Sequence, residues 1–164
     1  MQYALDYLRA NLKKTDMITI DIGVNDLGVL LASCNFNLTC ASNGLPATLA
    51  AYAQNLTAIF SGIRAAGYTG PIVAVTPYAV NYNDPVEVDG LLALDGVLAE
   101  VASAFDVQVA DGFDAFLAAD IPAGGDSCAA GLLIKLPNGT CDIHPSLAGQ
   151  TLIAQTVVSL LGKK

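Results

Sequence analysis

The sequence predicts an α/β protein, a three-layer α/β/α arrangement around a parallel sheet, as a single domain over residues 1–164. Segments with apolar residues at helical spacing alternate with short runs rich in β-branched residues. The connections between those runs are too long for hairpins, so successive strands are joined by right-handed crossovers and lie parallel. Finally, 54% of the residues are apolar and 13% charged, which suits a sheet covered on both faces, and 164 residues suffice for one core but not for two ordinary domains.

The elements follow in order. Residues 2–13 place Ala4, Leu5, Leu8 and Leu12 on one helical face, with lysines at the end where they complement the helix dipole. Residues 16–22 read Asp-Met-Ile-Thr-Ile-Asp-Ile, a short strand stopped by Gly23. Leu45-Pro46 opens a second helix with proline in a tolerated first-turn position, and Gly67 closes it. A strand at 71–76, a helix over 86–105, a strand at 107–110 and a last helix from Pro145 or Ser146 to Leu161 complete the pattern. Residues 118–141 form a Gly/Ala/Pro-rich loop, longer than connections usually are, which is either functional or tied down.

Charge and cysteine usage narrow the function. Fifteen acidic residues against seven basic ones give a net charge of -8, which excludes nucleic acid and anionic membranes as partners. No run approaches the roughly eighteen apolar residues of a membrane span. The N-terminus has neither a basic n-region nor an apolar h-region, so no signal peptide is visible. The four cysteines form two local pairs, Cys34–Cys40 and Cys128–Cys141, and two disulfides imply an oxidising compartment and an exported protein. Four thiolates binding zinc are the alternative, disfavoured because neither pair has the short spacing of structural zinc sites, and no metal is expected. Sequons stand at Asn37, Asn55 and Asn138.

In an open parallel sheet, ligands sit beyond the carboxyl ends of the strands, so polar residues just after a strand are candidates for chemistry. Asn25, in Gly23-Val24-Asn25-Asp26, is such a residue. Its side-chain amide suits an oxyanion hole, although an Asx-turn or a cap explains Asn25 and Asp26 equally well. His144, the only histidine, precedes Pro145 at the entry to the last helix, with Asp142 two residues before it. There an imidazole can act as general base while a carboxylate fixes its tautomer, the alternative being an exposed loop histidine.

Together these stretches resemble a known family. ITIDIGVNDL resembles block III, and DIHPSLAG block V, of the SGNH (GDSL-type) serine esterases and lipases. LPATLAAYAQNLTAI, PIVAVTPY and VADGFDAF, with the cysteine-flanked loop after block III, extend the likeness over most of the chain. The resemblance implies a flavodoxin-like SGNH-hydrolase architecture and a carboxylesterase acting on short acyl esters, with Asn25 in the oxyanion hole, His144 as general base and no cofactor. It departs from the family's D-x-x-H, because Cys141 occupies the usual aspartate position. That leaves Asp142 or a backbone carbonyl to orient the histidine.

The family's nucleophile motif and its block II glycine have no counterpart here, since no serine precedes Gly23, and this reads as an N-terminal truncation. Gly125-Asp126-Ser127 is a literal GDS and makes Ser127 a candidate nucleophile, though the triplet reads first as an ordinary turn. In a truncated sheet the strand at 17–22 becomes an open edge, which predicts a homo-oligomer formed through that edge or through the N-terminal helix. An intersubunit site would then bring one copy's serine to another's His144. The alternative function is a catalytically inactive fold serving as a binding or assembly module.

Overall fold

The computed structural model describes residues 1–161. The helices are α1 (Gln2–Asn11), α2 (Val24–Ser33), α3 (Leu38–Ala65), α4 (Pro85–Ser103), α5 (Gly112–Asp120) and α6 (Leu147–Leu161). The strands are β1 (Ile18–Ile20), β2 (Ile72–Val75), β3 (Val107–Ala110), β4 (Leu133–Lys135) and β5 (Cys141–Pro145). The first three strands form a sheet in the order β1-β2-β3, with β1 parallel to β2 and Ile18, Thr19 and Ile20 opposite Ile72, Val73 and Ala74. Every residue of β2 is buried, as expected of a central strand covered on both faces, and the α/β class with a parallel sheet holds. No helix among the described residues is long and apolar enough to cross a membrane.

The chain folds as two compact units, one of residues 1–74 and 94–109, the other of residues 75–93 and 110 onward. In the first, Leu5 and Leu8 of α1, Tyr52, Leu56 and Phe60 of α3, and Leu94 and Leu98 of α4 pack with Ile72 and Ala74. Arg64 then ties the ends of the elements together. Its guanidinium donates to the carbonyls of Tyr68, Gly70, Phe105 and Asp106 at 2.9 to 3.3 Å, satisfying turn carbonyls that have no strand partner. Phe60 is fully buried at the centre of this core. Phe60→Ala is expected to destabilise the protein by about 3–5 kcal/mol, read as a lower urea midpoint at unchanged slope.

The second unit has its own small core of Phe116, Leu132 and Leu133, with Tyr78, Leu152 and Ile153 packed against it. Here lie α5, α6 and the antiparallel pair β4 and β5, in which Leu133 faces Pro145 and Lys135 faces Cys141.

Three expectations need correction. The second helix begins at Leu38, well before Pro46, which lies inside it. Asn37 caps its first turn by accepting from the amide of Cys40 at 2.9 Å, and the Cys34–Cys40 disulfide closes the preceding turn, so α3 starts before the proline and accommodates it. The segment after Gly23 is itself a helix, α2, with no side-chain cap to announce it. The long loop at 118–141 contains the end of α5, β4 and the start of β5. Its hairpin turns at Asn138-Gly139, where Gly139 has φ +89° and donates to the carbonyl of Leu136 at 3.0 Å.

Candidate active site

Asn25 lies in the first compact unit, exposed in the first turn of α2. Gly23 sets its position. It has φ +122° and is buried against the ring of Tyr52, where an added Cβ would stand 2.7 Å from ring carbons, so only glycine fits. The Tyr52 hydroxyl donates to the carbonyl of Ile22 at 3.1 Å and pins the end of this segment. Burial, and then the nearby carboxylates of Asp95, Asp26 and Asp21, push the Tyr52 phenol up, so it remains a proton donor. Asn25 borders an open depression of about 390 Å³ that also holds Ser33 and Thr48. Both hydroxyls are committed to backbone carbonyls, Ser33 to Leu30 at 2.8 Å and Thr48 to Gly44 at 3.3 Å.

His144 and Asp142 lie in the second unit on β5, two residues apart on one side of the strand. Asp142 Oδ1 stands 2.5 Å from His144 Nδ1 and accepts from the His144 backbone amide at 3.0 Å. A carboxylate can only accept, so Nδ1 carries the proton, and in the neutral imidazole Nε2 is the acceptor. The imidazole is 71% exposed and therefore accessible to a substrate. Hydrogen bonds from the backbone and then the ring of His144 hold the Asp142 carboxyl below the usual carboxylate range. Thus the structure brings Asp142 and His144 together, with the Asp142 carboxylate against Nδ1.

Ser127 is placed differently. It is fully buried, with Oγ 2.7 Å from the carbonyl oxygen of Ala79 and 2.5 Å from Asp120 Oδ2. A hydroxyl packed in this way is not presented to a substrate, so the GDS at 125–127 is a structural turn in this conformation. Asp126 confirms the turn by accepting from the amides of Cys128 and Ala129 at 2.9 and 3.0 Å.

Both disulfides form as the spacing suggested, Cys34–Cys40 and Cys128–Cys141. The second ties the loop after Ser127 to the first residue of β5, immediately before Asp142. Replacing Cys128 and Cys141 together by serine is expected to lower stability by about 2–4 kcal/mol, measured by thermal unfolding against the unaltered oxidised protein. Among the described residues no cluster of three or more candidate ligands is disposed to hold a metal ion.

Sequence reasoning missed one supporting residue beside the dyad. The hydroxyl of Tyr78 donates to the carbonyl of Ile143 at 2.8 Å, and its ring stacks on Phe116 at 4.1 Å between centroids. It holds β5 at the residue between Asp142 and His144, and no local pattern signals a contact sixty-five positions away in the chain.

Comparison with known proteins places the chain, though not its individual site residues, in a family. An acetylxylan esterase from Geobacillus stearothermophilus is 18% identical, with TM-score 0.61, over 98% of this chain and 68% of that one. An alpha/beta hydrolase enzyme from the metagenome of Lake Arreo, Spain, is 20% identical, with TM-score 0.62, over 96% of this chain and 67% of that one. At such identities the likeness shows the fold alone. A search of curated proteins finds no match in sequence. Residues 2–152 match the GDSL-like Lipase/Acylhydrolase family, nearly the whole chain, and the protein belongs to that family.

Proposed function

We propose that the protein is an ester hydrolase acting on small acyl esters, with His144 as general base, Asp142 orienting it and Asn25 donating to the oxyanion. The observation that carries this reading is the exposed Asp142–His144 dyad, whose geometry leaves Nε2 as an accessible proton acceptor. Family membership supports the reaction class, and the acetylxylan esterase neighbour favours a small acyl group such as acetyl. A serine hydroxyl attacks the ester carbonyl, His144 takes its proton and returns it to the leaving alcohol, and water then repeats the sequence on the acyl-enzyme. The side-chain amide of Asn25 is the kind of donor suited to the negative oxygen of each tetrahedral intermediate.

The attacking serine is not one from residues 1–22, which contain none, and Ser127 is buried. We also propose that copies associate through β1, the outer strand of the three-stranded sheet, which would allow a serine of another copy to serve His144. Two disulfides favour an oxidising compartment. The test is hydrolysis of p-nitrophenyl acetate together with fluorophosphonate labelling and mapping of the adduct. Turnover with a labelled serine supports the reading and names the nucleophile. Folded protein with neither turnover nor adduct overturns it in favour of a binding module, the reading that the burial of Ser127 supports. A single species at monomer mass across a wide concentration range in sedimentation overturns the association.

A further inference from the structure

We infer that Asp120 is a neutral carboxylic acid in the folded protein and that, by donating its proton to Ser127, it positions the disulfide loop against which the His144 strand is held. Ser127 Oγ contacts both the carbonyl oxygen of Ala79, at 2.7 Å, and Asp120 Oδ2, at 2.5 Å. A carbonyl oxygen only accepts, and a serine hydroxyl owns one proton. If that proton went to an ionised Asp120, the Ala79 oxygen would face a hydroxyl lone pair at hydrogen-bonding distance with nothing between them. A proton on Asp120 Oδ2 removes the conflict: Asp120 donates to Ser127 Oγ, and Ser127 donates to Ala79.

The surroundings point the same way. Asp120 and Ser127 are both fully buried, and among the described residues Asp120 Oδ1 has no hydrogen-bond partner, so a carboxylate would leave a charged oxygen without solvation. Asp120 is also the last residue of α5, where the helix presents its negative end. Among the described residues, Asp126 on the adjoining loop acts on its charge, and Tyr82 feels the charges of Asp120 and Glu87; none of these groups is a cation. Helix α6, which packs against α5, carries no ionisable residue over Leu147–Leu161. Burial therefore raises the Asp120 carboxyl, a hydrogen bond received from Ser127 would oppose that, and Asp126 raises it further.

The consequence for β5 is mechanical. The amide of Ser127 donates to Val80 at 3.1 Å, its carbonyl accepts from Leu132 at 3.0 Å, and the carbonyl of Leu132 accepts from Ser146 at 2.8 Å. The next residue, Cys128, is bonded to Cys141 at the start of β5. Asp120 thus anchors the loop that flanks the Asp142–His144 strand at both ends. Its effect on catalysis rests on the esterase reading, whereas its protonation does not.

Because the folded protein raises this pKa above its unfolded value, the stabilisation is complete below the ordinary aspartate range and is lost as pH rises through the folded value. The test compares thermal unfolding of the whole protein and of Asp120→Asn from mildly acid to alkaline pH. Asparagine can donate to Ser127 Oγ without a charge, so the variant is expected to keep the wild-type melting temperature on the acid side and to lack the wild-type fall at higher pH. A wild-type melting temperature that is flat or rises with pH, with Asp120→Asn less stable throughout, would overturn the assignment in favour of a carboxylate accepting from Ser127.

Should Asp120→Asn fail to fold, the carboxyl-carbon NMR resonance of Asp120 in labelled wild-type protein decides. A protonated acid at about pH 6 supports the assignment and a carboxylate overturns it. For the positioning role, ester hydrolysis by wild type is expected to decline at the pH where its melting temperature falls, and Asp120→Asn to lose that decline. A decline that persists in the variant would overturn the positioning role. Protein that hydrolyses no ester yet shows the Asp120-dependent fall in melting temperature refutes the esterase reading and supports the protonated acid.

Discussion

His144→Ala is expected to lower kcat/KM for a short acyl ester by about 10²–10⁴-fold while leaving the melting temperature within about 1 °C of wild type. The two halves of this expectation have separate causes. The rate falls because Nε2 is the only ring atom left free to accept a proton once Nδ1 is engaged by Asp142. Stability is spared because the imidazole is 71% exposed and its one side-chain partner, Asp142, is partly exposed as well. Asp142→Asn should lose less, about 10-fold to 10³-fold, since the base remains but its tautomer and orientation are no longer fixed. Parallel kinetics and thermal melts decide the matter: a His144→Ala protein with wild-type turnover would remove the histidine from the mechanism.

The dyad also fixes the sign of its acid response. Asp142 sits below the usual carboxylate range, so its contribution to the folded state is present above the ordinary aspartate value and is lost as pH falls through the depressed folded one. Asp120 responds in the opposite sense, because burial raises it. Two aspartates of one compact unit therefore limit the pH range from opposite ends, through opposite environments.

Gly149→Ala is expected to lower the melting temperature by roughly 10 °C, although alanine is the better helix former. Gly149 is buried in α6, and an added Cβ would stand 2.3 Å from the carbonyl oxygen of Leu132, 3.0 Å from Pro145 Cβ and 3.1 Å from Phe116 Cζ. That carbonyl already accepts from Ser146, so it cannot move away without breaking the bond that docks the start of α6 onto the residue preceding β4. Gly96→Ala in α4 is the control. A Cβ there meets nothing within 4 Å, and the substitution is expected to stabilise by about 0.5–1 kcal/mol. If both substitutions shift the melting temperature upward, close approach at Gly149 is not what α6 requires.

These residues show where sequence reasoning succeeds. The strand at 107–110 was legible to the residue because its β-branched run is bounded by Asp106, with φ +53°, and the Asp111 cap of α5. In the stretch DIHPSLAG, aspartate, histidine and helix start are local to one another, so the start of α6 close after His144 was legible. Helix α5 escaped notice although Asp111 caps it by accepting from the amide of Asp114 at 2.8 Å, a signal that was present in the sequence. The hairpin of β4 and β5 likewise carried its Asn138-Gly139 signal inside what read as a loop.

What the sequence determined by itself are the features that depend on neighbours in the chain: the α/β alternation, the paired cysteines and the glycine before Asn25. Only the tertiary structure decided the fate of Ser127 and the state of Asp120. The GDS triplet is chemically suited to a nucleophile, and nothing local distinguishes an exposed serine from a buried one. That distinction comes from Ala79, forty-eight positions away, and from the buried carboxyl of Asp120. Solvation and proton ownership are properties of a packed neighbourhood, and a neighbourhood assembled across the chain has no local pattern to reveal it.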